Sequence, residues 1–187
     1  MTDDFPQLLS AAKEGADWAW ERLYDDLAGP LTGYFASRGA PEPEDLTAET
    51  FLHLARGIHS FDGNEKSMRS WAFVIAHRRM IDARRAASRR VAEVEQQDWE
   101  PSGGNVEDDA MTQLSTAEIV RALEVLTEEQ RDVIALRVIA DLSLEETAQI
   151  VDKTRGAVKA LQHRALETLR ASLQGVSNSD DRTITDV

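Results

Sequence analysis

The chain has 187 residues, 42% hydrophobic and 29% charged, with a formal net charge of −13 and no cysteine. That balance suits one large soluble domain or two small ones, excludes disulfides and thiolate metal sites, and means that any nucleic-acid binding must come from local patches. No apolar run approaches the roughly 18–20 residues of a membrane span, and the acidic start MTDDFPQLLSAAKEG lacks a signal-peptide core, so the expectation is a cytoplasmic protein without membrane insertion.

Helical periodicity dominates from the first residues, and strand alternation is weak throughout. The pattern predicts helices over Phe5–Lys13, Ala16–Arg38, Glu44–His59 and Ser67–Arg90. Pro41 and Pro43 separate the second from the third, and Asp62-Gly63-Asn64 turns the third into the fourth. In the third helix Leu46, Phe51, Leu54 and Ile58 form an inward face, leaving Glu44, Asp45, Glu49 and Arg56 outside. Glu49 and His53 are four residues apart, but two ligands alone do not make a metal site. The fourth helix is uneven. Its front, Trp71–Ala76, is apolar nearly all round and must be buried.

Its back is cationic. Ser67–Arg90 carries seven arginines (Arg69, Arg78, Arg79, Arg84, Arg85, Arg89 and Arg90) against one acid, Asp82. That exceeds what a helix dipole needs, so phosphate contact is the better explanation. The polar loop FDGNEKS before it would suit a pocket for an extruded base. Val91–Leu114 then reverses the charge, with seven acids and no base. Its centre, EPSGGNVEDD, reads as a linker. Such a segment is either a solvated acidic loop or a mimic of nucleic acid in a basic channel of a partner.

After the linker the periodicity predicts helices over Ser115–Leu126, Glu128–Ala140, Leu144–Val151 and Arg155–Leu173, followed by a disordered tail from Gln174. Thr127 with Gln130 reads as a capping box. Leu144, Ala148 and Val151 share one face. Asp152-Lys153-Thr154 is a polar break, with Thr154 placed to cap the next helix. On that helix Val158, Leu161, Ala165 and Leu169 form the buried stripe, while Lys159, His163 and Arg164 point away from it. This is a helix-turn-helix whose second helix offers cations to a DNA major groove. The fold class is therefore all-α: two small helical domains, 1–91 and 115–173, joined by a flexible acidic linker over 92–114, with a tail over 174–187.

These blocks resemble the extracytoplasmic-function (ECF) sigma factors of the bacterial sigma-70 family. PEDLTAETF is similar to the family's D-x-E-D-L-x-Q-E-x-F, and WAFVIAHRRMIDARR to W-L-x-x-I-A-x-N-x-x-x-D-x-x-R. LTEEQRDVIALR resembles L-P-x-x-x-R-x-V-L-x-L-R, and GAVKALQHRALETLR resembles G-T-V-K-S-R-L-H-R-A-x-x-x-L-R. The resemblance implies a region 2 helical bundle and a region 4 helix-turn-helix, with core RNA polymerase (its clamp coiled coil and flap), promoter DNA and an anti-sigma factor as candidate partners and no cofactor. It implies that Asp45, Glu49 and Phe51 dock the polymerase clamp. Asp62, Asn64, Lys66, Trp71, Arg78, Arg79, Arg84 and Arg85 would hold the melted −10 element, and Arg155, Lys159, His163 and Arg164 would engage the −35 element. The sequence departs from the pattern at Ala48 (usually Gln), Arg78 (usually Asn) and Ala160-Leu161-Gln162 (usually Ser-Arg-Leu).

Two other readings use the same residues. A dimeric helix-turn-helix regulator explains Ser143–Arg170 but leaves Trp71–Arg90 unassigned. An acidic adaptor or anti-sigma protein leaves both cationic helices unexplained. An enzyme finds no support, since there is no phosphate-binding glycine loop and no nucleophile flanked by a base.

Overall fold

A computed structural model describes residues 4–94 and 122–180. The linker beyond Val94, the predicted helix over Ser115–Leu126 as far as residue 121, and the tail beyond Asp180 lie outside the described residues. Among the described residues there are helices and turns and no strands.

Helix α1 (Phe5–Lys13) has Pro6 in its first turn, where the missing N–H costs no bond, and buries Phe5, Leu9 and Ala12. Helix α2 (Asp17–Ser37) buries Ala19, Leu23, Leu27, Leu31 and Phe35, each four residues on from the last, with Tyr34 beside them. It continues through Pro30, whose ring removes one ladder bond. Helix α3 (Pro43–Gly57) starts on the second of the two prolines expected to break the chain, because proline is tolerated at the first helical position. A single 3₁₀ turn, Ile58–Ser60, follows.

Helix α4 (Glu65–Val94) begins two residues earlier than the periodicity suggests. Asn64 Oδ1 accepts from the Ser67 backbone N–H at 2.9 Å and the Ser67 hydroxyl at 3.1 Å, which caps the helix. The apolar front of α4 is buried at Ala72, Phe73 and Ala76, but Trp71, Val74 and Ile75 are half-buried, so the expected burial all round holds only in part.

The second unit opens with residues 122–124, which are helical. Helix α5 (Glu128–Ile134) is closed at its start by the expected capping box: Gln130 N donates to Thr127 Oγ1 at 3.3 Å, and Thr127 N donates to Gln130 Oε1 at 3.0 Å. Its far end widens into a π turn, Ala135–Ile139. Helix α6 (Leu144–Ile150) carries a second capping box, Ser143 with Glu146. Helix α7 (Arg155–Asp180) is started by Thr154, whose hydroxyl accepts from the Ala157 N–H at 3.2 Å. Its backbone stays helical past Leu173 to Asp180, where the sequence predicts a disordered tail. No proline interrupts this stretch, and extending an existing helix costs little beside starting one. Asp152, in the turn between α6 and α7, takes a left-handed φ of 51°, a conformation that Asp tolerates better than most residues.

The two units are packed on one another. A single apolar core runs from Phe5, Leu27, Tyr34 and Phe73 into Ala135, Leu136, Ala140 and Leu142 of the second unit. Ile139 lies against Gly33, where an added Cβ would meet its Cγ2 at 3.4 Å. Smaller apolar clusters hold the second unit together, one joining Leu123, Leu126, Ile134 and Ala165, the other Val133, Ala148, Val158 and Leu161.

Beside the shared core lies a charged contact. The Arg38 side chain is 1% exposed, and its Nη2 sits 2.6 Å from Asp132 Oδ1. Arg38 Nη1 donates to the Glu128 carbonyl at 3.2 Å. Tyr34 Oη and His77 Nδ1 share a hydrogen bond of 2.9 Å, and His77 Nδ1 lies 3.8 Å from Asp132 Oδ1. Arg84 pairs with the Glu128 carboxylate, and the Ser70 hydroxyl donates to Glu146. Burial pushes the Asp132 carboxyl up to about 6, with Arg38 and Arg84 pulling the other way. Burial, followed by the charges of Arg38 and Arg84, pushes His77 down to about 4. At neutral pH Asp132 is therefore ionised and His77 is neutral.

Removing the acid from this contact strands a buried guanidinium, so Asp132→Ala should cost about 3 kcal/mol in urea unfolding. The two shifted groups act oppositely on pH dependence. As pH falls through about 6, folded Asp132 binds a proton that the unfolded chain does not, which adds stability. As pH falls below the ordinary histidine value, the unfolded chain protonates His77 first, which removes stability until about 4. Wild-type stability should show little net contribution from this pair across that window. His77→Gln should gain stability relative to wild type as pH falls, and Asp132→Asn should lose it, both read from urea midpoints at several pH values.

Candidate nucleic-acid interface

The cationic back of α4 divides into two populations. Arg78, Arg85 and Arg89 are exposed and recur at steps of seven and four, which places them on one stripe of the helix. Arg79 and Arg84 are half-buried and already paired. Arg79 Nη1 lies 3.6 Å from Glu49 Oε2, and Arg84 pairs with Glu128. Of the four arginines expected at the −10 element, two are free on the surface and two hold protein contacts.

The loop before α4 is built around aromatic stacking. Phe61 and Trp71 lie face to face, with ring centroids 5.1 Å apart and planes 16° from parallel. Both rings are half-buried and pack against the main core. Asp62, Asn64 and Lys66 are exposed around them. Asn64 Oδ1 is occupied by the cap, which leaves its amide nitrogen for any outside contact.

On α3, Asp45 and Glu49 are exposed as expected. Phe51 is different. It is half-buried and lies against the Tyr24 ring, centroids 4.9 Å apart. The apolar atoms open to solvent on this face belong to Leu52, 56% exposed, and Tyr24, 53% exposed. Sequence reasoning missed both. Leu52 sits one step off the inward stripe, which is the only signal the periodicity offers for it.

On α7, Val158 and Ala165 are fully buried and Leu161 is 6% exposed, while Arg155, Lys159, His163 and Arg164 are exposed. The stripe and the cationic face thus separate as the spacing predicts. Arg155 lies 2.9 Å from Glu145, and His163 is 3.5 Å from Glu167 one turn on. Both pairs are solvent-exposed and worth little. Two arginines of the preceding motif face inward instead. Arg131 donates to the carbonyls of Leu123, Glu124 and Leu126, and Arg137 to that of Leu142, so they tie off helix ends. Burial opposes ionisation of Glu146 at the start of α6, but hydrogen bonds from Ser143 and Ser70 outweigh it and hold its pKa below the usual range.

Among the described residues no cluster of three or more His, Cys, Asp or Glu could hold a metal, and no helix is long and apolar enough to cross a membrane. The arrangement offers exposed cations on two separate helices and an aromatic loop beside one of them. That is equipment for holding nucleic acid at two places.

Residues 19–90 match the family description Sigma-70 region 2, and residues 122–171 match Sigma-70, region 4. The chain is 33% identical over 167 residues to the ECF RNA polymerase sigma factor BldN of Streptomyces coelicolor, covering 87% of this chain and 63% of that protein. It is 30% identical over 165 residues to the ECF RNA polymerase sigma factor SigX of Bacillus subtilis, covering 83% of this chain and 84% of that protein. Against BldN and against SigD of Mycobacterium tuberculosis the match spans 63% and 64% of the relative's length. Among solved structures, CnrH in complex with the cytosolic domain of CnrY has a similar fold, with a TM-score of 0.67 at 22% identity over 92% of this chain and 99% of that one. So does RpoE in complex with the anti-sigma factor NepR from Bartonella quintana, with a TM-score of 0.64 at 21% identity over 82% of this chain and 96% of that one. Two helical units carrying these two regions in this order define the sigma-70 family. The chain belongs to the ECF sigma factors of the sigma-70 family.

The Glu49–Arg79 pair, half-buried at Arg79 and open at Glu49, should contribute at most about 1 kcal/mol to folding. Glu49→Ala should therefore leave the thermal midpoint nearly unchanged, which calorimetry would check and which qualifies it as a clean probe of surface function.

Proposed function

We propose that this chain recruits core RNA polymerase to promoters, reads a −35 element with α7 and holds the melted −10 element with α4 and the loop before it. Residues 1–91 act as region 2, 92–114 as the acidic linker and 115–173 as region 4. The observation that carries this reading is the pair of exposed cationic surfaces, Arg78-Arg85-Arg89 on α4 and Lys159-Arg164 on α7 with His163 beside them, each on a different unit. A dimeric regulator has no use for the first. No bond is made or broken by the chain. Its contribution is binding energy that offsets the cost of unstacking bases, about a few kcal/mol per step.

Asp45 and Glu49 meet a basic clamp surface, and Leu52 and Tyr24 supply apolar contact beside them. Such an interface draws its on-rate from charge and its strength from a desolvated apolar centre. Region 4 contacts the polymerase flap. Arg84 is paired with Glu128 of the second unit, so offering it to DNA requires that contact to break. Polymerase supplies the spacing, and two weak DNA modules then gain from effective concentration. An anti-sigma factor, as named for the structurally similar RpoE and its partner NepR, is a candidate regulator here.

In vitro transcription with purified core polymerase on a random promoter library tests the reading: discrete start sites should appear only when the chain is added. A gel shift should show far weaker promoter binding by the isolated chain than by the holoenzyme. Leu52→Asp should lower affinity for core polymerase by about tenfold or more, measured by fluorescence anisotropy, since it buries an unpaired charge at the contact. Lys159→Ala should reduce the salt dependence of −35 binding by about one counterion, read from the slope of log K against log salt concentration.

A further inference from the structure

Gly57 closes α3 with φ −98° and ψ −9°, a conformation open to any residue, so its backbone does not demand glycine. Space does. A Cβ placed on Gly57 would stand 2.7 Å from Trp71 Cζ2 and 3.0 Å from Cη2. The benzene edge of the indole therefore rests directly on the backbone at the end of α3. The Phe61 ring stacks on a face of the same indole. Gly63, two residues after Phe61, is equally tight: its Cβ would meet Ser67 Cβ at 2.9 Å and Phe61 Cζ at 3.0 Å. Ser67 is itself held by the Asn64 cap. The end of α3, the aromatic pair, the loop and the first turn of α4 thus fit together with no spare atom at either glycine.

We propose that Gly57 is a positioning residue for the −10 element, seating Trp71 so that the Phe61–Trp71 stack sets the shape of the loop that receives the unstacked base. The inference rests on the promoter-melting reading above and adds a residue that carries no charge and no donor side chain. Glycine serves at this position because the ring must approach the backbone, and alanine forces the ring outward. A shift near 1 Å in a group that holds a reacting or bound partner costs on the order of a hundredfold where the fit is tight, and less where neighbours give. Alanine favours helix over glycine, so the substitution places no burden on α3 itself.

The test is a double-mutant cycle on the holoenzyme, using a promoter recovered by wild-type transcription from a random library, with 2-aminopurine in its −10 element. Gly57→Ala should lower the open-complex fluorescence signal by about tenfold, while affinity for core polymerase and for a duplex carrying only the −35 element stays within twofold of wild type. Trp71→Phe removes the two indole atoms that crowd Gly57. In that background Gly57→Ala should change the signal by less than about twofold, because the pair acts through one contact. A Gly57→Ala holoenzyme that opens the promoter as wild type does would overturn the proposal. So would a loss of equal size in the Trp71→Phe background, or a parallel loss of core and −35 binding, which marks general misfolding. If wild-type holoenzyme recovers no promoter at all, the melting reading itself fails and this inference falls with it.

Discussion

The structure depends on one buried charged contact. Arg38, at the end of α2, is almost wholly removed from solvent and faces Asp132 on α5 of the other unit. A buried ion pair is seldom a large net source of stability, because both charges must be desolvated. It is, however, highly specific. The apolar core shared by the two units, from Tyr34 and Phe73 to Leu136 and Leu142, would tolerate small slips of one surface over the other. A guanidinium that has left water tolerates none. The contact joins the second unit to the first beside the apolar core, and the Tyr34–His77 hydrogen bond lies next to it.

That packing decides which cations are available. Arg84 and Arg79 look equivalent to Arg78 and Arg85 in sequence, but the first pair already serves Glu128 and Glu49. The free chain presents only part of its cationic surface, on a molecule whose formal charge is −13. Under the proposed function this is useful. On that proposal, an acidic protein with some of its arginines occupied would not be captured by random duplex, and polymerase binding would change both the geometry and the supply of free cations.

Helix α4 carries two jobs along one axis. Its front is buried at Ala72, Phe73 and Ala76, which anchors it in the core, and its back projects Arg78, Arg85 and Arg89 outward. The loop that feeds it is closely packed at its glycines. Two glycines allow two aromatic rings to sit where side chains would otherwise stand. Precision at this site comes from backbone approach, which leaves little trace in charge or hydrophobicity.

The amino-acid pattern by itself determined the all-α class, the order of the helices, the buried stripe Val158-Leu161-Ala165, the caps at Thr127 and Thr154, and the cationic back of α4. Each of these follows from local rules: period 3.6, a hydroxyl that accepts from a nearby N–H, a block of one charge. Local rules also misplaced some ends. Asn64 starts α4 earlier than the apolar pattern does, and the backbone of α7 runs beyond Leu173. The Ser143–Glu146 box was equally legible and went unread. Only the tertiary structure decided that Phe51 is covered by Tyr24 while Leu52 is open, that Arg84 belongs to Glu128, and that Gly57 makes room for Trp71. In each case the deciding partner is distant in sequence or the decision rests on a distance of a few ångströms. Periodicity reports which side of a helix faces inward, but not what arrives there to meet it.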